Sequence, residues 1–294
     1  MVKVSAQCGY CLIRRAVAEI ENITDDEQQK FYILRKIFRF FSHNFSENSI
    51  PSNIGTIRDR IIREISKKDP YYHSKKRSNQ IALKFVPKIE KEIEKQTNNW
   101  NKFRTALLYS IVGNIIEFDI EENKNPLGNL ELALEQAEAD LTIDQSKDFY
   151  ELVKKSDTII YLTDNAGEIV FDKIFIKELS KLCKKIIVIV KGIPVLNDAT
   201  MEDAEFINLT SSFPNVEVIP SGTDHVGMIL EETPKKILDI INSGDLIIAK
   251  GMGYFETLTE YELKKPVVHL FRIKCGNISK FLNREINKNV ILIR

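Results

Sequence analysis

The chain has 294 residues, long enough for a well-buried core and one or two domains. Its 42 basic and 42 acidic residues cancel, which argues against a general nucleic-acid binder, a class that carries a basic excess. No apolar run reaches the roughly 18–20 residues that span a bilayer, Met1-Val2-Lys3-Val4-Ser5 lacks the apolar stretch of a secretory signal, and four cysteines are too few for a disulfide scaffold, so no membrane association and a reducing cytoplasm are expected.

The first half reads as helices. Asp25 to Phe41 carries Phe31, Leu34, Ile37, Phe38 and Phe41 near the helical period. Asn53 to Ile65 repeats the pattern, and Asp69-Pro70 breaks the chain. Ile81 to Ile93 and Trp100 to Phe118 follow as further helices, then a turn at Asn125-Pro126-Leu127-Gly128 and a helical segment from Leu130 to Ala139. From about residue 145 β-branched runs alternate with helical stretches: Thr158–Leu162, Ile186–Val190, Val216–Ile219, Leu246–Ala249, Val267–Ile273 and Val290–Ile293. Such alternation predicts an α/β fold, Rossmann-like, with a mostly parallel sheet and crossover helices. The expected organisation is a helical N-terminal cap region over residues 1–144 and a Rossmann-like domain over 145–294 that carries the site, with no flexible linker between them.

Four of the strand-like runs end in polar, small-residue turns. These are Asp164-Asn165, then Lys191-Gly192-Ile193-Pro194 with Asn197-Asp198, then Ser221-Gly222-Thr223-Asp224-His225, and Lys250-Gly251 with Glu256 close behind. In a parallel sheet these turns converge on the edge where ligands bind. Asp164, Asn165 and Asp198 offer three oxygen ligands for one hard divalent ion, with magnesium, manganese, nickel and cobalt all compatible. Lys250 is placed to neutralise phosphate charge. Glu168 is suited to orienting a water or a substrate hydroxyl. Gly167, Gly192, Gly222 and Gly251 would let backbone amides approach an ester closely. Each residue also has a plainer role: Asp and Asn before a helix are routine N-caps, Glu168 is a favourable first-turn acid, Lys250 alone fits a solvated lysine, and His225 a loop histidine.

Asp164-Asn165-Ala166-Gly167-Glu168-Ile169-Val170-Phe171-Asp172 resembles the signature of the metal-dependent damage-control phosphatases, a family long catalogued as a domain of unknown function. Lys191-Gly192-Ile193-Pro194 with Asn197-Asp198-Ala199-Thr200 resembles its second motif, and Lys250-Gly251 with Glu256-Thr257-Leu258 its third. Cys8-Cys11, Asp69-Pro70-Tyr71 with Lys75, and Gly113-Asn114 extend the resemblance over nearly the whole chain. The resemblance implies a divalent metal at Asp164, Asn165 and Asp198, and hydrolysis of phosphate monoesters of small metabolites, such as sugar phosphates or damaged phosphometabolites. It implies a catalytic part for Asp164, Asp198 and Lys250, and substrate contacts from Glu168, Asn197, Gly192, Gly251, Glu256 and Asn114. The N-terminal Cys-x-x-Cys places the chain near the prokaryotic branch. Departures from the pattern are Glu117 in place of Asp, and Met252-Gly253-Tyr254 where an amide is commoner.

Cys8-Gly9-Tyr10-Cys11 has zinc-ligand or redox spacing, a weak signal alone because a closed zinc site needs about four ligands. Cys275 resembles a family position and is the natural third member of a second site, while Cys183 fits a small buried hydrophobe. Structural thiols, metal binding and redox pairing all remain open for Cys8 and Cys11. Two other functions compete with a phosphatase acting on a small phosphorylated metabolite. One is a Rossmann-type methyltransferase, weakened because no Gly-x-Gly-x-x-Gly follows Thr158–Leu162. The other is a non-catalytic binding module with a structural metal. The sequence leaves the oligomeric state open.

Overall fold

The structure, a computed structural model, describes residues 2–113 and 137–294. The turn expected at 125–128, most of the segment expected at 130–139, the end of the helix expected to reach 118 and Asn114 lie outside the described residues. None of the described helices is long and apolar enough to cross a membrane.

Among the described residues six helices come first: α1 (Ala6–Glu21), α2 (Glu27–Asn44), α3 (Pro51–Ser66), α4 (Tyr72–Leu83), α5 (Val86–Glu94) and α6 (Asn99–Val112). Their starts are chemically marked. Asp26 accepts the amide of Gln28 at 2.9 Å, Asn98 accepts that of Asn101 at 2.8 Å, and α3 opens on Pro51, whose missing N–H costs nothing there. The helix expected over Ile81–Ile93 is split, because Pro87 has no amide to give and crowds the carbonyl four residues back, at Leu83, where α4 ends.

The second half runs β1 (Leu141–Asp144), α7 (Ser146–Lys155), β2 (Thr158–Leu162), α8 (Glu168–Leu179), β3 (Lys185–Val190), α9 (Met201–Phe206), β4 (Val216–Pro220), α10 (Lys235–Ser243), β5 (Leu246–Lys250), α11 (Gly251–Leu258), β6 (Val267–Arg272), α12 (Gly276–Leu282) and β7 (Asn289–Ile293). The seven strands form one sheet in the order β1-β7-β6-β5-β2-β3-β4. All pairs are parallel except β6–β7. All six expected strands are present. β1 was not expected, and since it pairs with β7 the sheet begins within the span assigned to the helical region. The chain order reverses between β2 and β5, which places the crevice of an open α/β sheet at the ends of these two strands.

Alternating side chains feed two cores. Ile159, Tyr161, Ile186, Val188, Leu246 and Ile248 join buried residues of α4, α5 and α6, including Phe85, Ile89, Phe103 and Leu107. Ile160, Leu162, Ile187, Ile189, Ile247 and Ala249 face Ile237 and Ile241 of α10 and Tyr254 and Leu258 of α11. Thus α4–α6 are a layer of the sheet's own core. Helices α1–α3 have a separate small core of Ala16, Ile20, Ile33, Ile37 and Ile62, and α3 docks this unit on α11 through the buried contact of Ser52 with Glu256.

Phe103 ties the halves together: its ring lies 5.3 Å from those of both Phe149 and Phe175, edge to face, and it is fully buried. Phe103→Ala is expected to cost about 3–5 kcal/mol while unfolding stays a single transition. Urea denaturation followed by far-UV and near-UV signals checks this, and a separate early loss of the helical signal would show that the halves do not share one cooperative core.

Candidate functional site

The loop after β2 carries Thr163, Asp164 and Asn165 straight into α8, and the loop after β3 carries Asn197 and Asp198. The backbone staples these loops to each other. Ala199 N–H donates to the Asp164 carbonyl at 2.8 Å, Ala166 N–H donates to the Asn197 carbonyl at 2.9 Å, and Asn165 and Asp198 form an isolated antiparallel bridge. The structure therefore brings Asp164, Asn165, Asn197 and Asp198 together at the switch point. The Asn165 amide nitrogen donates to Asp164 Oδ2 at 2.9 Å and to Glu168 Oε2 at 3.2 Å. Gly251 has φ +82°, and a Cβ on it would land on the Asp164 carboxylate. A glycine after β5 is what allows the loop after β2 to sit there.

Two lysines flank this loop pair, each ending a strand beside β2, and strand alternation sends them to opposite faces of the sheet. Lys191, at the end of β3, donates to the Gly227 carbonyl at 2.8 Å and to the Tyr254 hydroxyl at 3.1 Å, and lies 3.4 Å from Asp198 Oδ2. Lys250, at the end of β5, donates to the Ser110 carbonyl at 2.7 Å, to Glu168 Oε1 at 2.6 Å and to Asp172 Oδ1 at 2.7 Å.

This corrects the expected role of Lys250. An ammonium has three N–H donors, and all three are satisfied by protein acceptors with the side chain fully buried. Lys250 holds Glu168 and Asp172 in place instead of reaching toward a phosphate. Glu168 in turn is tied inward by Lys250 and Asn165. At Gly192 a Cβ would strike the Gly222 backbone, so the residue lets the loops after β3 and β4 pack together.

The electrostatics follow from burial. The Asp164 carboxyl is pushed well above the usual carboxylate range by burial and by the negative charges of Glu168 and Asp198. Burial lifts Asp198 to about 6, against the pull of Lys191. Burial works to lower Lys250, but Asp172 and Glu168 hold it above its ordinary value. Lys274 and Lys191 pull Asp164 the other way without offsetting its burial and the two neighbouring acids. The Asn165 Oδ1, nearly buried on its loop, accepts no hydrogen bond among the described residues. Two carboxylates and an amide oxygen make a donor set that suits a hard divalent ion. Among the described residues no group of three or more His, Cys, Asp or Glu gathers in the manner of a metal site, so the amide would be an essential member of the set.

A cavity of about 640 Å³ opens beside these loops, between α1, α3, α11 and the segment after β6. It is lined by Leu196, two residues before Asp198, and by Met252, which follows Gly251. Arg14, Arg15, Arg58, Arg272 and Lys274 line it as cations, and among the described residues Glu256 is the only acid in its wall. Glu256 accepts a hydrogen bond from Ser52, and burial pushes its carboxyl up to about 7. Cys8, Cys11 and Cys275 all line this cavity. They do not converge as a metal cluster, which corrects the idea of a three-cysteine metal site. Cys8 and Cys11 lie a turn apart on α1, the Cys8 sulfur is occupied by the Ser5 N–H at 3.4 Å, and Cys275 stands at the head of α12. The sequence points to no role for Arg15 or Ser52, and it shows Lys191 and Tyr254 only as members of motifs, with no contact of their own. The repeated Lys-Gly at the ends of β3 and β5 was a visible sign for Lys191.

Paired acids at the switch point of a Rossmann-like sheet, beside a cavity rich in cations, define a site for an anionic ligand. The comparisons with known proteins agree on one family. The damage-control phosphatase ARMT1-like domain matches residues 4–290. An uncharacterised protein of Methanocaldococcus jannaschii is 36% identical over 100% of this chain and 96% of its own length. A damage-control phosphatase of Archaeoglobus fulgidus is 32% identical over 98% of this chain and 97% of its own. The crystal structure of a DUF89 family protein from Pyrococcus horikoshii superposes with a TM-score of 0.88 at 28% identity, covering 99% of each chain. The chain belongs to the damage-control phosphatase ARMT1-like family, and its activity class is that of a phosphatase. Family membership sets aside the methyltransferase and the non-catalytic binding module.

Two outcomes follow. Lys250→Met removes the charge between Glu168 and Asp172, and breaking a buried pair in this way is expected to cost about 3–5 kcal/mol. Near wild-type stability in chemical denaturation would show that the cluster does not depend on the ammonium. For Glu256, the unfolded carboxyl titrates near 4.5 and the folded one at about 7. The folded state therefore binds this proton more tightly; the resulting stability is full below pH 4.5 and lost as pH rises through 7. Relative to Glu256→Gln, the wild type should lose on the order of 3 kcal/mol across that window. Parallel stability curves for the two proteins would refute the assignment.

Proposed function

We propose that the protein is a metal-dependent phosphoric monoester hydrolase acting on a small phosphorylated metabolite, a sugar phosphate or a damaged phosphometabolite. The observation that carries this reading is the pair of buried, mutually repelling carboxylates of Asp164 and Asp198, stapled at the sheet's switch point beside a cavity of about 640 Å³ rich in arginine. Asp164, Asn165 and Asp198 would hold a divalent ion of the magnesium, manganese, nickel or cobalt type. That ion would supply Lewis acidity toward the phosphoryl group and a lowered pKa for water.

The chain's own residues have separable tasks. Asn165 fixes the Asp164 carboxylate through its amide nitrogen. Lys191 restrains Asp198 from the opposite side. Glu168, anchored by Lys250, braces Asn165 and adds negative charge that favours cation binding next to it. Leu12, Pro51, Val226 and Met252 give the cavity an apolar wall for the organic part of the ester, and its cations favour the anionic part. The phosphatase class stands on the family; the metal dependence and the monoester preference rest on this donor set and this cavity.

Chelator-treated protein is expected to release no phosphate from p-nitrophenyl phosphate, and added manganese or magnesium should restore release. Asp164→Ala should lose both turnover and bound metal while melting within a few degrees of the wild type. Full turnover in metal-free protein, checked by elemental analysis, would overturn the metal dependence.

A further inference from the structure

With Lys250 committed to its buried cluster, a phosphatase site beside this cavity needs another cation for the phosphoryl group. Lys191 does not provide it, because its ammonium is directed to the Gly227 carbonyl, the Tyr254 hydroxyl and Asp198. Arg58 gives its guanidinium to Glu19, at 2.9 Å, and to Asp59. Arg272 is held by Asp140 at 2.8 Å and Asn289 at 3.0 Å. Arg15 is different. It lines the cavity, is half-buried, and forms no hydrogen bond or ion pair with any described residue. Cys8, Leu12 and Arg15 fall on one face of α1 at spacings of four and three residues, and all of them line the cavity. Arg15 and Leu196, two residues before Asp198, line the same cavity, so the side chain shares a wall space with the loop after β3.

We infer that Arg15 is the residue that grips the phosphoryl group of the substrate, an inference that rests on the phosphatase reading of the site. A guanidinium presents a planar fork of N–H donors that matches two oxygens of a phosphate at once, which a lysine cannot do. Glu256, on the same wall, accepts the Ser52 hydroxyl and forms no ion pair with Arg15. In the reaction the oxygen of water bonds to phosphorus, the bond from phosphorus to the ester oxygen breaks, and the leaving oxygen takes up a proton. Alcohol and inorganic phosphate are the products. Charge spreads over the phosphoryl oxygens that remain, and a guanidinium fixed on two of them offsets it.

The test uses the full-length protein loaded with manganese, and Arg15→Ala and Arg15→Lys variants. Arg15→Ala is expected to lose about 10²-fold or more in kcat on p-nitrophenyl phosphate, with added guanidinium restoring part of the loss. Isothermal titration with inorganic phosphate should show at least about tenfold weaker binding, consistent with deletion of one charge-assisted contact. Arg15→Lys keeps the charge without the fork, preserves the fold if removal of the charge does not, and should show a smaller loss in both measurements. Variants that match the wild type in turnover and phosphate affinity overturn the inference. A turnover loss that guanidinium does not rescue, at unchanged phosphate affinity, also overturns it and makes Arg15 a support for the buried acids around Glu19. If the wild type binds phosphate but hydrolyses no ester with any added metal, the phosphatase reading fails, and phosphate affinity alone decides the role of Arg15.

Discussion

A single buried ammonium organises the interior next to the site. Lys250 leaves the end of β5 and meets a carbonyl of α6 and two carboxylates of α8, Glu168 and Asp172, one helical turn apart. A charge taken out of water is tolerated only when its partners are close and every donor is used. This demand fixes the distance between sheet, α8 and α6. Asp172 also accepts the Tyr161 hydroxyl at 2.7 Å from β2, so neighbouring strands are referred to the same cluster. The price of the arrangement is visible in Asp172, whose second oxygen is buried without a partner among the described residues and whose carboxyl burial lifts to about 6. Because Ser110 lies on α6, the helical half is part of the machinery that supports the loop after β2 and is not a detachable cover.

From that cluster the order passes outward one bond at a time. Glu168 offers its other oxygen to the Asn165 amide, and Asn165 offers the same nitrogen to Asp164. Asn79 adds a second restraint at the head of α8, accepting the Gly167 N–H at 2.6 Å while its own amide donates to Asp203 at 2.7 Å. Acids of the same sign would spread apart if only water lay between them. Here the backbone bonds between the loops after β2 and β3 prevent it, and the missing side chain of Gly251 leaves the space that Asp164 fills. The geometry is thus set by the chain itself, which would lower the ordering cost of binding the cation we propose.

The parts legible in sequence were those determined locally. Strands β2, β3, β5 and β6 announce themselves as β-branched runs because nearly all of their residues are buried, and the edge strand β4 is legible through Val216, Val218 and Ile219 although only Val216 is buried. β1 does not: Leu141-Thr142-Ile143-Asp144 is short, lies at the sheet's edge and has no fully buried residue. Asp164, Asn165 and Asp198 could be read because chain order alone puts them at the ends of parallel strands. The partners of Lys250 could not, since they depend on how α6 and α8 pack over β5. Nor could the approach of α1 to the sheet edge that carries the acids, because a helix at the start of the chain carries no local mark of its docking partner. Gly192 shows the same limit: a glycine in a strand-end turn is visible, but that the Gly222 backbone fills the space of its missing side chain is a tertiary fact.

The use of two kinds of cation follows from the acceptors available to them. Lys191 and Lys250 end the two strands that flank β2 and turn to opposite faces of the sheet, each into a closed pocket of acceptors arranged around a point. A compact ammonium with donors in three directions suits such pockets, and a planar guanidinium would leave N–H groups unsatisfied there. The cavity offers the reverse conditions. Its wall is open, its acid is already engaged by Ser52, and an anion entering it brings several oxygens in one plane of approach. Arginine is the better donor in that setting, and α1 supplies it from outside the sheet. On this reading the sheet contributes charges that hold the acids still, while the N-terminal helices contribute the charge that meets the substrate. Both halves of the chain are then needed for one site, which accounts for a helical half that shares the sheet's core instead of standing apart from it.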